Sequence, residues 1–149
     1  MAWVDVEELL GAPVLLHGIQ LGRPVDVILD RSLRRALGLE IHCGDDSRRF
    51  VPLSVVRFSV RGIELASPLV MLEERELAFY TQRGSTLRAL RHADVDVRGR
   101  FAGSLVDIAI DREGLITEVI VLTASGLERL SYGPDVVVEP DRRSVRAAS

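Results

Sequence analysis

Four aspartates are the side chains of this sequence best suited to acid–base chemistry, because they form two pairs with the same internal spacing. Asp26 and Asp30 make one pair, and Asp107 and Asp111 make the other. Residues four apart on a strand lie roughly 13 Å apart, whereas carboxylates that act together in catalysis lie roughly 5 to 9.5 Å apart. We therefore expect no catalytic dyad within either pair. No other combination of residues supports catalysis, and we predict a protein that is not an enzyme and holds no cofactor.

A second group of reactive side chains lies between His42 and Asp46 and includes Cys43 and Asp45. Imidazole, thiolate and carboxylate groups all bind metals, but no second ligand pair with metal-site spacing occurs elsewhere in the sequence. We interpret this segment as a polar loop and predict no metal. Cys43 as a nucleophile would need a base, and on a strand its neighbour His42 points to the opposite face.

Arginines near the C-terminus could contact phosphate, since a basic tail attracts polyanions. They are Arg142, Arg143 and Arg146. They lie close to acidic residues, and we interpret residues 141–149 as a disordered, solvated tail. The net charge of −3 also argues against a nucleic-acid partner. All 19 basic residues are arginine, from which we hypothesise a GC-rich bacterial genome.

The aspartate pairs belong to a longer motif that occurs twice, 81 residues apart. Both copies read G-x-x-x-G-x-x-x-D-x-x-x-D-R, and the first two fixed positions are Gly18 and Gly22 in copy one and Gly99 and Gly103 in copy two. Neither copy matches a phosphate-binding glycine loop. We interpret the repeat as two similar halves: residues 1–80 with a linker at about 73–85 that could contain some helix, and a shorter second domain at 85–140.

The elements that position these residues can be predicted from the same repeat. Each copy begins with a helical turn, capped by Asp5 in copy one and by Thr86 in copy two. The glycines bracket a hairpin connection, and the strand that follows has one core face and one partly wet face. We expect Asp30 and Asp111 to accept backbone hydrogen bonds in turns.

This arrangement leaves Asp26 and Asp107 as matched, outward-facing residues, which we predict to contact a partner or the other half. The halves diverge after Phe50-Val-Pro52: copy one continues with strands at 55–60, 63–65 and 68–72, whereas copy two has only 127–130 and 136–138. Copy two is therefore abbreviated.

Cysteine content and hydropathy bear on location. Cys43 is the single cysteine, which excludes an intrachain disulfide and fits a reducing compartment. The N-terminus lacks the features of a signal peptide, and no apolar run approaches the roughly 20 residues that span a bilayer. We predict a cytoplasmic protein with no membrane span.

The duplicated glycine and aspartate spacing, together with Phe50-Val-Pro52, resembles the PRC-barrel family, named for the cytoplasmic domain of the photosynthetic reaction-centre H subunit. Other members form the C-terminal domain of a ribosome-maturation factor that docks on a small-subunit ribosomal protein, or are small stand-alone proteins. The resemblance extends from about Asp5 to Val138. It implies small β-barrels that bind or scaffold other proteins.

We therefore predict an all-β fold of two tandem barrels related by a pseudo-two-fold axis, with short helical turns. Because a barrel of roughly 70 residues buries little apolar surface, mutual burial or homodimerisation should supply part of its stability. The leading hypothesis is a non-catalytic adaptor that recognises an unidentified protein through a barrel face or a strand edge. The alternative is a small-ligand or RNA-binding protein that uses a groove between the barrels.

Overall fold

The computed structural model describes residues 3–144 and is built mainly from β-strands. In chain order the strands are β1 (Trp3–Asp5), β2 (Val14–Leu16), β3 (Ile19–Leu29), β4 (Ala36–Cys43), β5 (Arg48–Pro52), β6 (Val56–Ser59), β7 (Gly62–Leu65), β8 (Ser85–Thr86), β9 (Asp94–Val97), β10 (Arg100–Asp111), β11 (Ile116–Thr123), β12 (Gly126–Ser131) and β13 (Val136–Glu139). The helices are α1 (Val6–Leu10), α2 (Glu74–Arg83) and α3 (Leu87–Leu90), with 3₁₀ turns at Leu53–Val55 and Pro68–Val70. None of the helices within the described range is long and apolar enough to cross a membrane.

The strands form two curled sheets, one for each copy of the repeat, which confirms the predicted all-β fold with two barrel-like halves. The first sheet has the order β5-β4-β3-β2-β7-β6, and the second has the order β12-β11-β10-β9-β13. β2 and β7 run parallel. Most other neighbours are hairpin partners, as expected for strands joined by short turns.

The two halves exchange short strands. β1 precedes copy one but pairs with β10, and β8 precedes copy two but pairs with β3. Each exchanged strand leads at once into a helix, α1 or α3, that packs against the same acceptor strand. Apolar side chains of both halves also belong to one buried cluster. Neither half therefore completes its sheet or its core without the other, and the exchange is reciprocal, as a pseudo-two-fold relation requires.

The turns that follow the two motifs meet where the halves join. The N–H of Ile116 donates to the carbonyl of Arg34 at 2.9 Å, and the N–H of Ala36 donates to the carbonyl of Gly114 at 2.7 Å. These backbone hydrogen bonds link the start of β4 to the start of β11.

The predicted hairpins form through two-residue turns. His17 and Gly18 have φ of 51° and 82°, and Arg98 and Gly99 have φ of 52° and 80°. Positive φ at both central residues defines the type I′ turn, whose twist matches that of the flanking strands. Glycine adopts this geometry without steric cost, which explains the first glycine of each motif.

The second glycine of each motif has another role. Gly22 and Gly103 lie inside β3 and β10, so the prediction that they bracket the turn is wrong. A Cβ on Gly22 would overlap the carbonyl oxygen of His42 in β4, and a Cβ on Gly103 would overlap that of Leu122 in β11. Close approach of the neighbouring strand therefore requires glycine here.

Both faces of β3 are buried near its end, contrary to the expected wet face. Val27 and Leu29 point into the main core, as predicted. On the other face Asp26 is 6% exposed and Ile28 is fully buried, with Leu77 of α2 in the same cluster as Ile28. The predicted alternation of side chains between the two faces of β3 is correct, but helices cover the second face.

Both predicted helical turns form, and their apolar residues are buried at Val6, Leu9, Leu87 and Leu90. The hydroxyl of Thr86 accepts the N–H of Ala89 at 3.1 Å, as predicted. Asp5 makes no such cap. Its carboxylate instead accepts hydrogen bonds from the Arg129 guanidinium at 2.7 and 3.0 Å, so the predicted cap at Asp5 is wrong.

The connection expected at about 73–85 contains α2, a helix of ten residues. A capping box joins Glu73 and Glu76 at its start. Tyr80 stacks on Phe50 of β5 with ring centroids 4.5 Å apart. Because a packed aromatic pair fixes the helix, this segment is more than a linker.

The halves diverge as predicted after the common strands. Copy one adds the β6–β7 hairpin, whereas copy two has β13 at the corresponding side of its sheet. The strand predicted at 68–72 is instead a 3₁₀ turn followed by Leu72, which exchanges hydrogen bonds with Phe50 at 2.8 and 3.1 Å.

Candidate functional site

Asp30 and Asp111 are turn residues, as predicted. Asp30 Oδ1 accepts the N–H groups of Arg34 and Arg35 at 2.8 and 3.1 Å. Burial of the Asp30 carboxyl raises its pKa. Hydrogen bonds from the Ser32 hydroxyl and from these N–H groups lower the pKa by more, so the net pKa lies below the ordinary value. The Asp30 carboxylate is thus engaged by its own turn.

The carboxylate of Asp111 also accepts hydrogen bonds from its own turn, which is one residue shorter than the turn at Asp30. Asp111 Oδ1 accepts the N–H of Glu113 at 2.9 Å and the N–H of Leu115 at 3.0 Å.

Asp26 and Asp107 do not face outward, so that part of the prediction is wrong, but both lie at the interface between the halves, as predicted. They are 6% and 5% exposed, and each binds the start of a helix that belongs to the other copy. Asp26 accepts the N–H of Arg88 in α3 at 3.1 Å, and Asp107 accepts the N–H of Glu7 in α1 at 3.1 and 3.2 Å. The two aspartates are therefore reciprocal helix caps between the halves.

Burial changes the titration of both caps. It raises the pKa of Asp107 to about 6, helped by the neighbouring negative charge of Asp5 and opposed by a backbone hydrogen bond from Ile108 and by Arg91 and Arg129. Burial also raises the pKa of Asp26. Raised carboxyl pKa values are common in active sites, but here each carboxylate has a helix N–H as its partner. We find no catalytic pairing in these contacts.

The His42–Asp46 segment forms the end of β4 and a turn. His42 Nε2 lies 3.0 Å from Asp46 Oδ1, and Asp45 accepts the N–H of Ser47 at 3.0 Å. Burial raises the pKa of the Cys43 thiol, which disfavours the reactive thiolate. Within residues 3–144 no three side chains are arranged to hold a metal ion.

The C-terminal segment is fixed as far as residue 144, so the predicted disorder is wrong for 141–144. Arg142 donates to Asp94 at 2.9 Å and to Asp96 at 2.6 Å. The Ser144 N–H also donates to the carboxylate of Asp94, which is 1% exposed. Arg142 is therefore already occupied by two carboxylates, and residues 145–149 lie outside the described range.

The edge of the first sheet carries the surface best suited to bind another chain. β6 is the last strand of that sheet. Val55 is 40% exposed, Phe58 is 37% exposed and Val60 is fully exposed. These three apolar side chains are exposed within six residues, and Phe58 and Val60 also line the hollows beside β6; exposed apolar surface of this kind is one mark of an interaction site.

The backbone of β6 also has hydrogen-bonding groups that point away from its neighbour β7. Ile63 of β7 donates its N–H to the carbonyl of Pro13 at 2.9 Å, away from β6. Ile63 and its register partner Phe58 therefore form a pair without mutual hydrogen bonds, as alternate pairs of an antiparallel ladder do. The N–H and C=O of Phe58 consequently point away from β7, toward the side of β6 that pairs with no other strand of residues 3–144.

Two hollows of about 320 and 290 Å³ lie along β6 and share Val4 and Phe58 as lining residues. We call them together the β6 groove. Its first hollow is lined by Val4, Val56, Arg57, Phe58, Ile110, Asp111 and Arg112. The groove therefore runs between β6 of copy one and residues of β1 and β10, which belong to the sheet of copy two.

A wider hollow of about 730 Å³ lies where the two halves join, and is lined by Ser32, Arg34, Asp111, Leu115, Ile116, Thr117, Tyr132, Gly133, Pro134 and Val136. It corresponds in position to the groove expected between the barrels. Its charged side chains are Arg34 and Asp111, and the Asp111 carboxylate is used by its turn.

The sequence alone does not identify the exposed residues Val55, Phe58 and Val60 as a binding surface. The alternation of Val56, Phe58 and Val60 with polar residues predicts a strand with one apolar face. It does not tell whether another element covers that face, because coverage depends on the order of strands in the sheet.

No protein-family model and no curated protein sequence matches this chain.

Proposed function

We propose that this chain is a non-catalytic protein-binding module that accepts an extended segment of another polypeptide at the unpaired edge of β6. The observation that carries the proposal is the exposed strand itself, with the N–H and C=O of Phe58 directed outward beside exposed Val55 and Val60. In strand addition, main-chain hydrogen bonds provide affinity and alternate side chains fill adjacent pockets. The β6 groove supplies those pockets.

Two other strand edges of the molecule, β5 and β12, are less suited to this role. β5 is covered by Leu72, whose backbone bonds to Phe50. β12 carries Glu128 and Arg129, and the guanidinium of Arg129 binds Asp5 and Glu118. Charged residues on an edge strand are a common protection against pairing. These differences favour β6 as the recognition edge.

We further propose that the chain is a tandem PRC-barrel protein of the cytoplasm. The supporting observations are the duplicated glycine and aspartate spacing, the two barrel-like halves and the single thiol, Cys43. A scaffolding role is what the resemblance implies, and recognition through a strand edge gives that role a physical basis.

The test is a Phe58→Pro variant of the full chain. Proline removes the outward N–H of Phe58 and leaves the bonds between β6 and β7 in place. Proteins retained by the wild-type chain from native-cell extract are identified by mass spectrometry, purified and titrated against each variant. We expect binding by Phe58→Pro to be at least about tenfold weaker, since a lost hydrogen bond and lost packing both contribute.

Leu127→Pro is the matched control. Leu127 lies one position beyond a hairpin turn in β12, it is 65% exposed, and its N–H also points away from the neighbouring strand, because Tyr132 five positions on donates to Thr117. Equal melting temperatures of the two variants show that both are folded. A purified partner that binds wild type and both variants equally would overturn the proposal.

A further inference from the structure

We infer that the segment accepted in the β6 groove is acidic, with carboxylates placed over Arg57 and Arg112 and apolar side chains placed over Val4 and Phe58. The inference rests on the proposed function, because it assigns the chemistry of the segment that β6 binds.

The floor of the first hollow is apolar. Val4, Val56 and Ile110 line it together with Phe58. A side chain that enters this hollow exchanges water for hydrocarbon, which is favourable for valine, leucine or phenylalanine and costly for a charged group. Every second residue of a bound strand would face this floor, because side chains alternate along a strand.

The charged groups of the first hollow are Arg57, Arg112 and Asp111. The Asp111 carboxylate already accepts two backbone N–H groups of its own turn. Among the described residues no ion pair engages Arg112, and Arg57 contacts Glu64 at 3.2 Å with 80% of the Arg57 side chain exposed. An exposed pair of this kind is weak and exchanges readily for another carboxylate.

The side chains that line this hollow carry two positive charges and one negative charge, a small basic excess, whereas the chain as a whole has a net charge of −3. The second hollow differs, since its charged side chain is Glu8. A segment in which carboxylates alternate with apolar residues therefore matches the first hollow, and a basic segment would meet like charges there. Charge complementarity of this type selects among partners more than it adds affinity.

Three synthetic ten-residue peptides test the inference directly with the full chain. Valine alternates with glutamate in the first, with serine in the second and with lysine in the third, and binding is measured by fluorescence anisotropy of labelled peptides. We expect the glutamate peptide to bind about fivefold more tightly than the serine peptide, as two exposed ion pairs allow. The lysine peptide should bind most weakly, and the preference should shrink at 1 M salt, where the screening length is about 3 Å.

Arg112→Glu should remove the preference for the glutamate peptide. Arg31→Glu is the matched control, because Arg31 occupies the same position in copy one, 81 residues earlier, and is also exposed. It does not line either hollow of the β6 groove. We expect Arg31→Glu to bind all three peptides as the wild type does.

The outcomes separate this inference from the proposed function. If all three peptides bind equally and Phe58→Pro abolishes binding, strand addition stands and the acidic preference is wrong. If Phe58→Pro leaves peptide binding unchanged, both are wrong. If the wild-type chain is a dimer in gel filtration and Phe58→Pro is a monomer, a second copy occupies the edge and the inference is overturned.

Discussion

The two copies of the repeat agree closely at their junction and differ at their outer edges. Asp26 and Asp107 each bind the start of the other copy's helix, and Asp30 and Asp111 each bind N–H groups of their own turn. At the far side of each sheet the two copies have different strands. Copy one carries the β6–β7 hairpin, whereas copy two carries β13 and a returning C-terminal segment.

The same position in the two copies illustrates the difference. Pro13 of copy one accepts the N–H of Ile63 from the added hairpin at 2.9 Å. Its counterpart 81 residues later is Asp94, which binds Arg142 at 2.9 Å. Both copies are thus closed by strand pairing at this position, and copy two adds an ion pair to the pairing of β9 with β13. The repeated residues hold the halves together, and the unrepeated hairpin provides the candidate binding surface.

The largest effect is expected from alanine at the inner glycines. Gly22→Ala and Gly103→Ala should each lower the free energy of unfolding by about 3 kcal/mol, because the new Cβ overlaps a carbonyl oxygen of the neighbouring strand. Chemical denaturation measures the change. Gly44→Ala is the control, since a Cβ there meets nothing within 4 Å, and its effect should stay within about 0.5 kcal/mol.

Similar losses at Gly22 and Gly103 would strengthen the comparison between the copies. A large loss in one copy and none in the other would contradict it, because the two β-ladders would then not share the same close approach.

The next effect concerns the pH dependence of the two caps. Because the pKa of Asp107 rises from 3.8 to about 6 on folding, the folded protein binds this proton more tightly than the unfolded chain does. Protonation therefore favours folding, and this contribution is lost as pH rises from about 4 to about 6. The ionised carboxylate then costs up to about 3 kcal/mol at pH 7.

Asp107→Asn should remove that cost while it keeps an acceptor for the Glu7 N–H. We expect its melting temperature to exceed that of wild type at pH 7 and to converge with it near pH 4. Asp26→Asn should shift stability in the same direction but less, since Asp26 faces Arg88 whereas Asp107 faces the negative charge of Asp5. A wild-type protein that loses stability steadily from pH 7 to 5, with no change in Asp107→Asn relative to it, would contradict this account.

Local chemistry was predictable from the sequence, and long-range partners were not. The turn bonds of Asp30 and Asp111 join residues at most five positions apart, so the sequence motif contains both donor and acceptor. The caps at Asp26 and Asp107 join residues 62 and 100 positions apart. Their burial follows from the exchange of β1 and β8 between sheets, which no local pattern encodes.

Some of the differences had a signal in the sequence. Glu73 and Glu76 have capping-box spacing ahead of α2, within the segment interpreted as a linker. Asp5 also has the spacing of a cap, but Arg129 from the second half takes its carboxylate. A local rule therefore failed where a residue distant in sequence offered a stronger partner.

The smallest effect tests the ion pair that copy two adds to its strand pairing. Arg142→Ala should lower the free energy of unfolding by about 1 to 2 kcal/mol, because it removes the counter-charge of the buried Asp94 carboxylate. The loss should be smaller than for a fully buried pair, since 53% of the Arg142 side chain is exposed and Ser144 still donates to Asp94.

Arg143→Ala is the control for this measurement. Arg143 donates to the carbonyl oxygens of Pro140 and Ala89 and binds no carboxylate within residues 3–144. Its replacement should therefore change stability by less than about 0.5 kcal/mol. Equal losses for the two variants would mean that the C-terminal segment contributes through its packing alone, and that the ion pair adds nothing to the strand pairing that closes copy two.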